Sequence, residues 1–263
     1  LVEGYRRLIY YYAFTLQRKK LVEQIQAAIE WDCDQPETYV YLLAQDWLSF
    51  ANAYAENTKW MRSDPDSELF LVARAIYRVT SQALDEKPTE GPAVDGDTDG
   101  LPYHEKILRG YLDRYPRNLE LIVYFLRQAS NDGDADRVGE LLGQAPPEAA
   151  DDNRVWRYKG WLHDARGEIE LAEQAYRRAL QINPYDYITP HHLAGVLRQK
   201  QEKVEMEMLE QRYQQGAQLR REVLALPDVT KASPNLLWRI ANHAASCGQK
   251  EVAQKLARRL KTV

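Results

Sequence analysis

Cysteine is almost missing from this chain: of 263 residues only Cys33 and Cys247 carry thiols. The helical pattern described below predicts that they sit in the first and last pairs of an elongated stack, too far apart to bond. They read as packed or half-exposed free thiols, which favours a reducing compartment and a cytoplasmic location. Long apolar runs are also lacking. No segment is long and apolar enough to span a bilayer, and none reads as a signal peptide, so no membrane contact by this segment is expected. Nor does one sign of charge dominate. Thirty-five basic and thirty-nine acidic residues leave a net charge of −4, which argues against binding nucleic acid by phosphate neutralisation. The chain opens at Leu1 rather than methionine, as expected of a piece of a longer or processed protein, and this leaves room for an upstream targeting or anchor segment.

Catalytic signatures are missing too. None of His104, His163, His191, His192 and His243 has a second ligand at zinc spacing, and there is no phosphate-binding glycine loop and no nucleophile elbow. Neighbouring carboxylates such as Glu205 and Glu207 diverge on a helix. The chain is therefore expected not to be an enzyme and to need no cofactor.

What the chain does have is helical periodicity with a long step. In the window 153–186, Trp156, Gly160, Gly167, Ala172, Tyr176, Ala179, Leu180 and Pro184 fall where two packed helices need them. The small residues let the helices approach, the aromatics and Leu180 fill the seam, and Pro184 stops the second helix. A step of 34 residues backward reaches Leu119, where Ile122, Phe125, Leu126 and Ala129 recur with helical spacing. Asn131 to Asp134 then supply a turn, and Val138, Leu141 and Leu142 face back. The forward step reaches Tyr187, where Leu193, Ala194 and Leu197 mark one helix. No turn residue follows, and the pattern predicts an uninterrupted helical stretch from about 198 to 226, the long arm of an elongated hairpin over about 188–226. A last match begins at Pro234 with Leu237, Ile240, Ala241 and Ala244, turns at Gly248, and closes on Val252, Ala253, Leu256 and Leu260.

These residues resemble a tetratricopeptide repeat, clearly over 153–186 and more loosely over 119–152 and 187–263. The resemblance implies an all-α, right-handed superhelical solenoid of antiparallel helix pairs. The amino-terminal part, 1–84, is a degenerate helical subdomain. Its pattern predicts helices around Tyr5 to Tyr12, Leu21 to Ile29, 39–55 and 68–84, with a turn at 63–66. Residues 85–102, rich in glycine, proline and aspartate, are expected to be an acidic loop, and 103–263 the repeats. Within that loop Asp95, Asp97 and Asp99 have the alternation of a calcium-binding loop, although Lys106 stands where the closing glutamate belongs. The competing reading is a solvated linker.

The resemblance further implies a concave groove lined by the second, fifth, ninth and twelfth positions of each first helix. Carried over, these are Glu120, Val123, Arg127 and Ser130; Arg154, Arg157, Trp161 and Asp164; Ile188, His191, Gly195 and Arg198; and Asn235, Trp238, Asn242 and Ala245. Arg127, Arg154, Arg157, Trp161, His191, Arg198, Trp238 and Asn242 are the candidate guest contacts. Arginine forks match carboxylates and tryptophan gives rigid apolar area, so the expected partner is an acidic, extended peptide. The lysine and asparagine set of a chaperone-type carboxylate clamp is not present at the corresponding places. Arg157→Glu is expected to abolish binding with helical content unchanged. The alternative is an assembly or regulatory role through the long hairpin, where Val204, Met208, Gln215, Leu219, Val223 and Leu226 approximate a seam beside Met206, Leu209 and Tyr213.

Overall fold

The computed structural model describes residues 1–50, 52–80 and 103–261. Among the described residues the chain is all-helical, with fourteen α-helices and no strand. The first five are α1 (Val2–Phe14), α2 (Arg18–Glu30), α3 (Pro36–Ala44), α4 (Ala53–Met61) and α5 (Glu68–Thr80). After the acidic segment come α6 (Tyr103–Arg114), α7 (Leu119–Asn131), α8 (Ala135–Gln144), α9 (Asn153–Ala165) and α10 (Ile169–Ile182). The chain ends with α11 (Thr189–Gln199), α12 (Lys203–Leu224), α13 (Pro234–Ser246) and α14 (Lys250–Lys261).

Local chemistry starts and stops these helices at a regular interval. The side chain of Asn118 accepts a hydrogen bond from the backbone of α7, that of Asp152 from α9, and that of Asp186 from Ile188 and Thr189 at the start of α11. Each satisfies an orphan N–H of a first turn, and they stand at 118, 152 and 186. The turns inside the pairs show the same spacing. Gly133, Gly167 and Gln201 all adopt positive φ, at 75°, 75° and 63°, and Gly248 does so at 80° before α14. A left-handed residue at that point ends one helix and redirects the chain into the next.

Consecutive helices pack as pairs, α9 with α10, α11 with α12 and α13 with α14. The α9–α10 crossing is tight because Gly160 has no side chain: a Cβ there would stand 2.6 Å from the ring of the fully buried Tyr176. One continuous apolar core runs from Ile9 to Leu256, and a second cluster, built on Tyr176, Leu193, Leu197 and Leu209, sits among α10, α11 and α12.

Four features differ from the sequence expectation. The two ends of the chain meet instead of lying apart: α13 and α14 pack on α3, Arg259 Nη2 reaches Asp34 Oδ1 at 2.8 Å, and Lys255 Nζ donates to the Ile29 carbonyl at 2.5 Å. Both cysteines are free thiols, yet they do not mark opposite ends of an elongated stack. The stretch 198–226 is not one helix, because Gln201 takes the left-handed turn that glycine takes in the other pairs. The stretch 39–55 is not one helix either. Residues 45–50 leave the helix because tertiary partners capture them, Arg18 taking the Gln45 carbonyl and three side chains taking Asp46. Asp95, Asp97 and Asp99 lie outside the described residues.

Candidate functional site

The non-helical link after α3 turns inward and meets α7 and α9. Between them lies a cavity of about 600 Å³, bounded also by the end of α5 and by α12. Its lining contains all four first-helix positions expected from α7, namely Glu120, Val123, Arg127 and Ser130. It also contains Arg154, Arg157 and Trp161 from α9 and Ile188 just before α11.

A layer of buried ion pairs forms one wall. Glu120 is gripped by two arginines: Arg18 at 2.9 and 3.0 Å, and Arg154 at 2.9 and 2.6 Å. Arg154 also holds Asp152 Oδ2 at 2.6 Å. Burial alone would raise the Glu120 carboxyl, but the two guanidinium groups outweigh it and hold the group at about 2, so it is ionised at neutral pH. Alongside, Arg157 Nη1 donates to Asp186 Oδ2 at 2.8 Å and reaches Asp46 Oδ2 at 3.3 Å. Asn153 and Asn183 donate to Asp46 at 2.7 and 2.8 Å.

The two carboxyls beside Arg157 separate in character. Asp46 is raised, by burial first and by the nearby Asp186 charge second. Asp186 is lowered. Burial opposes that shift, but Arg157, the Thr189 hydroxyl and two backbone N–H groups overcome it. A second cavity of about 540 Å³ shares Arg18, Asp46 and Glu120 with the first, so the ionic layer is the partition between them.

The other walls of the first cavity mix aromatic and aliphatic side chains, with Leu48, Ile76, Val79 and Leu224 among the latter. Trp47, Tyr124, Tyr158, Trp161 and Tyr187 face it together with His192. His192 stacks on Tyr176 with ring centroids 5.6 Å apart, and burial followed by the Arg157 charge lowers its pKa to about 4, so the imidazole is neutral. Two more arginines complete the lining. Arg127 lies over the Tyr124 ring at 5.4 Å, and Arg220 of α12 lies over the Trp47 ring at 5.8 Å. The Nε of Arg220 is buried without a hydrogen-bond partner among the described residues.

Of the eight candidate contacts, the fold gathers Arg127, Arg154, Arg157 and Trp161 at this cavity. The other four lie elsewhere. His191 and Arg198 are exposed and pair with Glu210, while Trp238 and Asn242 are exposed on α13. Arg154 and Arg157 are also not open forks: at 3% and 5% exposure their donors are committed to internal carboxylates. Asp46, Trp47, His192 and Arg220 were not anticipated. Asp46 sits in what reads as helix, and Arg220 is one cation among several on α12.

A thiol–imidazole contact lies apart from the cavity, with Cys247 Sγ 3.6 Å from His243 Nε2. Burial raises the thiol and lowers the His243 imidazole to about 4, so both partners are neutral and the contact is not an activated nucleophile. Among the described residues no group of three or more potential ligands could hold a metal ion, and no helix is long and apolar enough to cross a membrane. Comparison of the chain with protein-family models and with curated proteins finds no match.

Proposed function

We propose that this chain is a non-enzymatic interaction scaffold built from tetratricopeptide-like repeats, and that it binds a short, extended, acidic peptide segment in the cavity between the link after α3 and helices α7, α9 and α12. The repeat and solenoid reading is supported by the recurrence of side-chain caps at 118, 152 and 186 and of left-handed turns at 133, 167 and 201. The binding reading rests on one observation above all. Trp161 and Arg127, expected on an inner surface, do line one cavity, which is walled by further aromatic residues. A volume of about 600 Å³ lies within the range of roughly 300–1,000 Å³ that engulfs a few side chains, so the guest is a short segment.

Anisotropy of a fluorescent octapeptide alternating glutamate and tyrosine, titrated with the whole chain, tests this. Saturable binding that Trp161→Ala weakens about tenfold or more supports the reading. Binding that Trp161→Ala leaves unchanged places the guest elsewhere and ends it.

A second reading, assembly through α12, is favoured by one feature. Leu219 and Val223 of the expected seam are buried, but Val204 and Met208 stand 77% and 66% exposed, one helical turn apart on the same face. Light scattering that finds a dimer, lost on Met208→Glu, supports assembly, and a monomer at all concentrations refutes it.

A further inference from the structure

Arg220 is the residue on which the cavity's charge and the length of α12 converge. Five arginines line the cavity, namely Arg18, Arg127, Arg154, Arg157 and Arg220. Three are occupied from within the fold. Arg18 and Arg154 share Glu120, with Asp152 as a second partner for Arg154, and Arg157 is matched by Asp186 and Asp46. Arg127 and Arg220 have no carboxylate partner among the described residues, and each lies against an aromatic face. An arginine stacked on a ring keeps its in-plane N–H donors for something else. For Arg220 the unpaired donor is already out of water, which is unfavourable until an acceptor arrives.

The fold delivers Arg220 to this place by two local features. At 22 residues α12 is twice the length of α11, which has 11, so its second half runs past its partner toward the cavity. Gly216 lets it come in close: a Cβ at that position would collide with the Tyr187 Cβ. Arg220 and Leu224 follow at one-turn intervals on the same face, and both line the cavity.

We propose that Arg220, with Arg127 as its companion, is the anion-reading residue of this cavity. It receives a carboxylate or phosphate oxygen carried by the guest peptide, with a flat or apolar neighbour of that group lying against Trp47 and Trp161. This rests on the peptide reading above and changes which residues carry it: Arg154 and Arg157 shape the cavity, and Arg220 and Arg127 recognise the guest. Either a glutamate or a phosphorylated serine supplies the required oxygens.

The test uses the whole chain and three fluorescent octapeptides, in which tyrosine alternates with glutamate, with glutamine or with phosphoserine. A charged hydrogen bond removed on one side should show as about tenfold or more in affinity. The wild type is expected to prefer the glutamate or phosphoserine peptide over the glutamine peptide by at least that factor, and the larger preference identifies the source of the anion. Arg220→Gln should collapse the preference, Arg220→Lys should restore part of it, and Arg198→Gln, at an exposed arginine off the cavity, should leave it intact. A preference that survives Arg220→Gln, or falls equally in Arg198→Gln, overturns the proposal while the peptide reading stands. If no peptide binds, that reading falls, and inorganic phosphate titrated against the Arg220 Nε–H resonance of arginine-labelled protein then decides. A saturable shift keeps the anion site, and an unmoved resonance removes it.

Discussion

Arg157 is the position at which two roles for the same residue give opposite outcomes. If it recognised a guest, its loss would weaken binding and spare the fold. The structure places its side chain at 6% exposure between Asp186 at 0% and Asp46 at 7%. Removing one partner of a buried pair costs about 3–5 kcal/mol, because the charge left behind has no water to replace it. Arg157→Met should fall near the lower end, about 3 kcal/mol, because Asp186 keeps the Thr189 hydroxyl, two backbone donors and Asn153. With a guanidinium chloride m-value of about 5 kcal/mol per M for a chain of this size, the midpoint at pH 7 moves down by about 0.6 M. Far-UV circular dichroism reads this directly. Combining Arg157→Met with Asp186→Asn removes the stranded charge and should recover at least half of the loss, and peptide affinity of the folded single variant should stay within a few fold of wild type. Arg157→Glu, which sets a third carboxylate beside the other two, should lose helical content, contrary to what its place in the sequence suggests. A midpoint for Arg157→Met within about 0.1 M of wild type would refute the reasoning.

Three other outcomes follow from the same geometry. The Glu120 carboxyl, held at about 2 against a usual 4.5, contributes about 3 kcal/mol that is fully present above pH 4.5 and is lost as pH falls toward 2. Glu120→Gln should therefore lower stability at pH 7 and flatten the acid limb of a stability–pH curve, and a limb unchanged in slope would contradict the assignment. Gln201→Gly relieves a left-handed side chain at an exposed turn and should add about 1 kcal/mol, seen as a higher melting temperature. Gly160→Ala forces a methyl group against the Tyr176 ring and should cost about 2 kcal/mol, lowering the melting temperature by several degrees, whereas an unshifted melt would mean that the α9–α10 crossing is looser than described.

Much of the helical framework was legible because its signals are local. Apolar spacing, Gly133, Gly167 and Gly248 at turns, and Pro184 after α10 each act within a few residues of the feature they specify. One error is local, since Gln201 takes a left-handed turn without being a turn residue, and the others arose where a distant partner decided the outcome. Tyr39 to Phe50 is apolar enough to continue a helix. The chain leaves that helix because Arg18, Asn153, Arg157 and Asn183 capture Gln45 and Asp46 from other parts of the fold. The meeting of α14 with α3 through Arg259 and Asp34 likewise joins residues 225 positions apart, a separation that no periodic pattern encodes.

The candidate site shows why an inward position is not the same as an available one. Glu120 and Arg154 stand 34 residues apart and bond to one another, so side chains at equivalent places of successive helix pairs are neighbours along a row. An arginine whose row neighbour is a carboxylate is neutralised by it, and this could have been read from the spacing alone. Arg127 has Trp161 as its counterpart at the same interval, and both line the cavity, with Arg127 resting on Tyr124 and taking no internal carboxylate among the described residues. Row position therefore sorts Arg127 from Arg154 correctly. It fails for Arg157, whose partners Asp46 and Asp186 come from links between helices, and for Arg220, which reaches the cavity only because α12 continues beyond the regular length. The cavity cations without an internal carboxylate partner among the described residues are thus Arg127 and Arg220, and finding them requires the links and the long α12 as much as the evenly spaced helices.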